Sequence, residues 1–170
     1  MVKKQKIDPQ VREQLLASYE QMMWLARQPF VTPSMARAWF SHIAVGRLTR
    51  RIRIFSGKVS AKAARDPSAV LRLEHYLRIQ TTITQLVSRH LKLKAPRPNE
   101  FINTVIQCEQ VHIVTFQENY AAMKASGDYR KAGIELRDWN TLPKGSREAL
   151  WTRMLRGRVA NAAQFDPRLK

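Results

Sequence analysis

Residues 47–65 read RLTRRIRIFSGKVSAKAAR, and the fold predicted from the sequence depends on how this stretch is interpreted. It contains seven Lys or Arg side chains and no Asp or Glu. On a helix, five of these cations would form one stripe, because they are three, four or seven residues apart, and apolar side chains would form the stripe beside it. We therefore predict an amphipathic helix. Its basic stripe comprises Arg47, Arg51, Lys58, Lys62 and Arg65, and its apolar stripe comprises Val45, Leu48, Ile52, Phe55 and Val59.

The net charge of +17 is concentrated in one part of the chain. Residues 27–97 carry fifteen Lys or Arg against two acids, a net charge of +13, whereas residues 100–140 carry four against six, a net charge of −2. This unevenness is typical of a binding face beside a supporting scaffold. Because 44% of the residues are hydrophobic, the chain is expected to fold and not to be disordered.

The basic residues indicate a polyanionic partner, and nucleic acid is preferred over an acidic protein or a membrane surface. Arg outnumbers Lys five to two in residues 47–65, and the planar guanidinium suits phosphates and guanine edges. Duplex DNA is favoured over RNA, because Phe55 is the only aromatic residue in this stretch and belongs to the apolar stripe. The predicted binding residues are Arg47, Arg50, Arg51, Lys58, Lys62, Arg65, Arg153, Arg156 and Arg158; the last three either form a second contact or cap the final helix.

Prolines mark the predicted organisation of the first half. Asp8-Pro9, Thr32-Pro33 and Asp66-Pro67 each place a capping residue before a proline, which predicts three helix starts. The third helix is predicted to run to about residue 94, and residues 33–65 fit either one helix or two. The segment 95–98 predicts a linker between a basic helical region, 1–95, and a smaller α/β and helical region, 99–170, packed together as one domain.

The second half has a different pattern. Residues 111–115 are rich in β-branched side chains and predict a strand, and Thr115 with Glu118 predicts a capping box that starts a helix. Residues 134–139 predict a second strand, so that strand, helix and strand would form a parallel β-α-β unit. A last helix is predicted from Leu142-Pro143 or Ser146. The predicted fold is mainly α, with a small α/β portion in the C-terminal half of a single compact domain.

Enzymatic activity has little support in the sequence. Val114-Thr115, followed by a helix and by residues 134–136, resembles the closing part of Mrr-like restriction endonucleases, which implies a metal-dependent nuclease. The Glu-x-Lys tripeptide that such a nuclease needs is missing from the sequence. Cys108, Glu109 and His112 are a cluster of reactive types, for which a buried cysteine beside an ordinary histidine in a strand is the preferred interpretation. No catalytic residue, metal or cofactor is predicted.

The remaining expectations concern compartment and role. The sequence contains no apolar run of the roughly 20 residues that span a bilayer, and its single cysteine excludes an internal disulfide, so the cytoplasm is expected. We expect a non-enzymatic DNA-binding protein, an accessory factor in bacterial, plasmid, mobile-element or phage DNA processing, transfer or regulation. An RNA-binding or ribosome-associated factor is the alternative. Residues 100–140 are candidates for contact with a protein partner.

Overall fold

The structure, a computed structural model, describes residues 7–42, 46–93 and 95–169. Helices and a small mixed sheet make up the fold, which confirms the prediction of a mainly helical protein with some α/β structure. A π-helical turn at Trp151–Leu155 follows the last α-helix. In chain order the elements are α1 (Pro9–Ala26), α2 (Pro33–Phe40), α3 (Gly46–Ile52), β1 (Ile54–Ser60), α4 (Ala61–Arg65), β2 (Leu71–His75), α5 (Ile79–Leu91), α6 (Pro98–Cys108), β3 (Gln110–Thr115), α7 (Phe116–Lys124), β4 (Leu136–Asp138) and α8 (Lys144–Leu150).

The chain divides into two units, and each is built from two separate stretches. Unit 1 comprises Met1–Ile52 and Ile79–Cys108, and unit 2 comprises Arg53–Arg78 and Glu109–Lys170. The segment around Pro96, which was predicted to separate two regions, connects α5 to α6 within unit 1. Two strands of the sheet, β1 and β2, come from the first half of the chain.

Unit 1 is helical, and two of its helix starts follow the predicted capping pattern. The side chain of Asp8 accepts a hydrogen bond of 2.9 Å from the Gln10 amide at the start of α1. Thr32 accepts one of 3.2 Å from the Met35 amide at the start of α2. The apolar sides of the helices form one core, whose largest fully buried members include Leu15, Tyr19, Met22, Phe40, Ile83 and Phe101.

Unit 2 is built on a four-stranded sheet with the order β2-β3-β1-β4. The central pair, β1 and β3, is parallel, and both outer strands are antiparallel to their neighbours. Side chains from alternate positions of the central strands pack against the C-terminal elements on one face of the sheet. This core includes Phe55, Val59, Val111, Ile113, Trp139, Leu150, Trp151 and Leu155.

The prediction of one amphipathic helix over residues 47–65 is wrong, because these residues form α3, β1 and α4. Phe55 and Val59 are buried four residues apart, a spacing that fits a helix. In the sheet they pair with Val111 and Ile113, which are two residues apart, because an irregularity in β1 lies between them. Gly57 has a φ of +80° within this irregularity, a conformation that favours glycine.

Two further predictions are wrong. Residues 67–94 do not form one helix, because Leu71–His75 is a strand with the alternating pattern of a sheet and α5 begins only at Ile79. The elements β3, α7 and β4 exist as predicted, and the Thr115–Glu118 capping box is confirmed. They do not form a parallel β-α-β unit, since β4 pairs antiparallel with β1, and β1 is parallel to β3.

Candidate nucleic-acid interface

The predicted basic stripe is divided between the two units, so its members do not form one helix face. Arg50 and Arg51 belong to α3 of unit 1, and the side chain of Arg47 lies outside the described residues. Arg51 forms an ion pair with Asp8, with 2.6 Å between Nη2 and Oδ2. Arg50 is exposed, and no ion pair involves it within the described part of unit 1. A carboxylate therefore already accompanies one of the two predicted contacts on α3 whose side chains are described.

Helix α4 of unit 2 presents two of the predicted cations. Its alanines are buried, and Ser60 caps its N-terminus by accepting a hydrogen bond of 3.1 Å from the Ala63 amide. Lys62 and Arg65 are exposed and, across residues 7–42, 46–93 and 95–169, have no ion-pair partner. Lys58, which precedes the helix, pairs with Asp138 at 2.8 Å. Among the predicted contacts on β1 and α4, Lys62 and Arg65 are therefore the cations available to a ligand.

The three predicted C-terminal arginines have different surroundings. Arg153 donates a 3.1 Å hydrogen bond to the Ala69 carbonyl oxygen and lines an open depression with Asp66, Pro67 and Ser68. The guanidinium of Arg156 lies over the Trp151 ring, 5.9 Å from its centre. Arg158 is exposed. Arg153 therefore adds a cation next to the segment that follows α4.

Helix α7 carries an exposed aromatic side that the sequence analysis did not select. Phe116, Tyr120 and Met123 are one helical face by their spacing of four and three residues, and their exposed fractions are 47%, 50% and 50%. The guanidinium of Arg72 lies 5.2 Å from the centre of the Phe116 ring, and Nζ of Lys124 lies 4.7 Å from that of Tyr120. We call these five residues the aromatic strip.

A contiguous path of residues connects the aromatic strip to Arg153. The Phe116 amide donates a 2.8 Å hydrogen bond to the carbonyl oxygen of Val70. The neighbouring Ala69 carbonyl accepts the hydrogen bond from Arg153. Each exposed ring of α7 therefore has a cation beside it, and Arg153 is attached to the neighbouring segment; exposed rings with cations are the residue combination that proteins use to hold single-stranded nucleic acid.

The opposite face of the sheet carries a polar cluster around His112. Its Nδ1 atom lies 2.5 Å from Oγ of Ser56, and its ring makes edge contacts with the rings of Tyr76 and Tyr129. Burial, together with the nearby charge of Lys58, lowers the pKa of His112 to about 4. The imidazole is therefore neutral at pH 7, and its Nδ1 atom is hydrogen-bonded to the Ser56 hydroxyl.

The Ser56–His112 pair has the composition of a nucleophile with its base, but its electrostatics favour a structural role. A general base works best when its pKa lies near the operating pH, and the pKa of His112 lies well below it. The histidine is also only 6% exposed. We interpret the pair as the hydrogen bond that satisfies a buried ring.

The other residues of the predicted reactive cluster lie on separate elements. Cys108 ends α6 and is buried, while His112 lies in β3, as predicted. Glu109 is buried between Arg53 and His75, with its Oε2 atom 3.0 Å from Arg53 Nε and 3.4 Å from His75 Nε2. Within the described ranges, no group of three His, Cys, Asp or Glu side chains is arranged to hold a metal ion.

No family model, no curated protein and no solved structure matches this chain. Among the described helices, none is long and apolar enough to cross a membrane.

The aromatic strip could have been found from the sequence by asking which side of the α7 pattern opposes its buried residues, Glu118 and Ala122. The surface chemistry that defines the candidate site is the combination of exposed cations on α4 and at Arg153 with exposed rings on α7.

Proposed function

We propose that the protein binds duplex DNA without catalysing a reaction on it. In this proposal it is a cytoplasmic accessory factor in bacterial, plasmid, mobile-element or phage DNA processing, transfer or regulation. Binding would come chiefly from cations that neutralise phosphates and release counterions. The observation that carries the proposal is the presence in unit 2 of exposed cations that form no ion pair in the described structure, among them Lys62 and Arg65 on α4.

The charge of each unit supports the same proposal. Unit 1 contains thirteen Lys or Arg and four Asp or Glu, a net charge of +9. Unit 2 contains seventeen and nine, a net charge of +8. Residues 27–97 and 100–140 differ strongly in net charge, but the two units of the structure do not. Each unit would be attracted to a polyanion, and the attraction would weaken with salt.

Replacing Lys62 and Arg65 together with alanine is expected to weaken duplex binding and to reduce its dependence on salt. Each phosphate contact contributes about 0.9 to the slope of log K against log salt concentration, so losing two contacts lowers the slope by about 2. Fluorescence anisotropy with a labelled duplex, repeated across a salt series, measures both quantities.

The matched control is the double variant Lys131→Ala with Lys144→Ala. It removes the same total charge, but each lysine lies beside a carboxylate, with Nζ 3.7 Å from Asp128 and 4.0 Å from Glu148. We expect this variant to keep the wild-type slope. A flat slope for the wild type, or equal reductions in both double variants, contradicts the proposed interface.

A further inference from the structure

Exposure of the aromatic strip is not explained by the packing of unit 2. Helix α7 uses Glu118 and Ala122 to face the interior, and both are buried. Phe116, Tyr120 and Met123 occupy the other side and are about half exposed. Adjacent large apolar side chains at a surface are typical of an interaction site.

The charges placed over these rings favour an anionic ligand. Arg72 and Lys124 are the cations that contact the Phe116 and Tyr120 rings, and each is exposed. The strip contains two cations and no Asp or Glu, which makes an anionic ligand the better fit. Aromatic rings flanked by cations match nucleic-acid bases with their phosphates, since every base has a face that can stack.

Geometry also suits an unpaired strand. The rise of 1.5 Å per residue places Phe116 and Tyr120 about 6 Å apart along the helix axis, which leaves room for a base against each ring. A strand leaving the Phe116 end would meet residues 69–70 and then Arg153, which is hydrogen-bonded to Ala69. In duplex DNA the bases are stacked on one another and their faces are not available to a side chain without unstacking.

We propose that the aromatic strip binds single-stranded nucleic acid by stacking successive bases on Phe116 and Tyr120. Arg72 and Lys124 neutralise the adjoining phosphates, and Met123 extends the apolar surface. This inference rests on the proposed function, because it assigns a second mode of nucleic-acid binding to the same protein. The chemistry is shared by DNA and RNA, so both are included in the test.

The test compares the double variant Phe116→Ala with Tyr120→Ala against the wild type, using labelled oligothymidylate, oligouridylate and a duplex. Affinity for at least one single strand is expected to fall about tenfold or more, because each base stacked on an aromatic ring contributes strongly to binding. Any base can stack, so homopolymers are suitable probes. Affinity for the duplex is expected to stay within about twofold, and the salt slope to stay unchanged, since no charge is removed. The single strand that loses more affinity identifies DNA or RNA as the preferred ligand.

Two controls separate stacking from a general loss of structure. Trp24→Ala removes an aromatic side chain that is 64% exposed in unit 1 and is expected to leave single-strand affinity unchanged. Tyr120→Phe keeps the ring and is expected to retain wild-type affinity. Photo-crosslinking of the wild type to an oligonucleotide containing 5-iodouracil is expected to modify Phe116 or Tyr120, as mapped by mass spectrometry, independently of any variant.

The outcomes separate this inference from the proposed function. Salt-dependent duplex binding with an unchanged single-strand affinity in the double variant overturns the aromatic strip alone. Absence of binding to all three oligonucleotides overturns both proposals. A double variant that changes self-association in sedimentation but not single-strand affinity identifies the strip as a protein contact and contradicts the inference.

Discussion

Replacement of Glu118 by alanine is expected to lower the free energy of unfolding of unit 2 by about 3 kcal/mol. One buried carboxylate oxygen accepts three hydrogen bonds: 2.5 Å from the Ser60 hydroxyl, 2.9 Å from the Thr115 amide and 3.0 Å from the Thr115 hydroxyl. Without it these buried donors lose their acceptor, and each unsatisfied donor costs about 1 kcal/mol or more. Because Ser60 caps α4 and Thr115 caps α7, one carboxylate connects two helix starts.

Hydrogen exchange of the β1 and β3 amides measures this effect within unit 2. Exchange through unfolding should accelerate about a hundredfold in Glu118→Ala, and by less in Glu118→Gln, which keeps an acceptor oxygen. Glu148→Ala is the matched control, because the Glu148 side chain is 45% exposed and lies 4.0 Å from Lys144. Its removal should change stability by less than about 0.5 kcal/mol. Equal exchange in the two alanine variants would show that the carboxylate does not stabilise the unit.

Acidification from pH 7 to pH 4 is expected to remove about 3 kcal/mol of stability from unit 2 through His112 alone. Its pKa in the folded protein, about 4, lies below the ordinary value of 6.5, because burial disfavours the charged ring. Between these two pH values the unfolded chain binds more protons than the folded one. The stabilising contribution is therefore complete above pH 6.5 and is lost as the pH falls toward 4.

The variant His112→Gln isolates this contribution. Glu74 lies opposite His112 in the register of β2 and β3, and burial raises its pKa. Through Glu74, the stability of unit 2 therefore rises as the pH falls, which opposes the effect of His112. Both proteins contain Glu74, so the difference between their pH profiles reports His112. We expect the exchange-derived stability of β3 to fall with acid more steeply in the wild type than in His112→Gln. Parallel profiles would contradict the neutral buried ring.

Local signals in the sequence predicted three helix starts correctly. Asp8-Pro9, Thr32-Pro33 and the Thr115–Glu118 capping box each act within one helical turn, so neighbouring residues suffice to identify them. Asp66-Pro67 has the same composition but precedes a turn and β2, because the residues beyond it alternate. A capping residue starts a helix only when the residues that follow it have the spacing of a helix.

The strand β1 was missed because residues four apart, such as Phe55 and Val59, share a face in a helix and in a strand alike. The position between them that would have revealed the alternation of a strand is Gly57, which has no side chain. Periodicity alone could not distinguish the two structures, although Gly57 was a local signal against a helix.

The surroundings of the predicted contact residues were anticipated only in part, for a related reason. Lys62 and Arg65 are exposed, as predicted, but Arg51 and Lys58 pair with Asp8 and Asp138, which are distant in the sequence. No rule of local spacing identifies such partners.

The interleaving of the two units has a consequence for synthesis and for dissection of the protein. Strand β1 leaves the ribosome about fifty residues before β3, its parallel neighbour, so its edge stays unpaired while α5 and α6 are being made. No fragment that ends before residue 110 can contain the central strand pair. A series of C-terminal truncations would therefore destroy the sheet before a binding surface could be located. Point substitutions at exposed positions keep both stretches of each unit and are the better experiment.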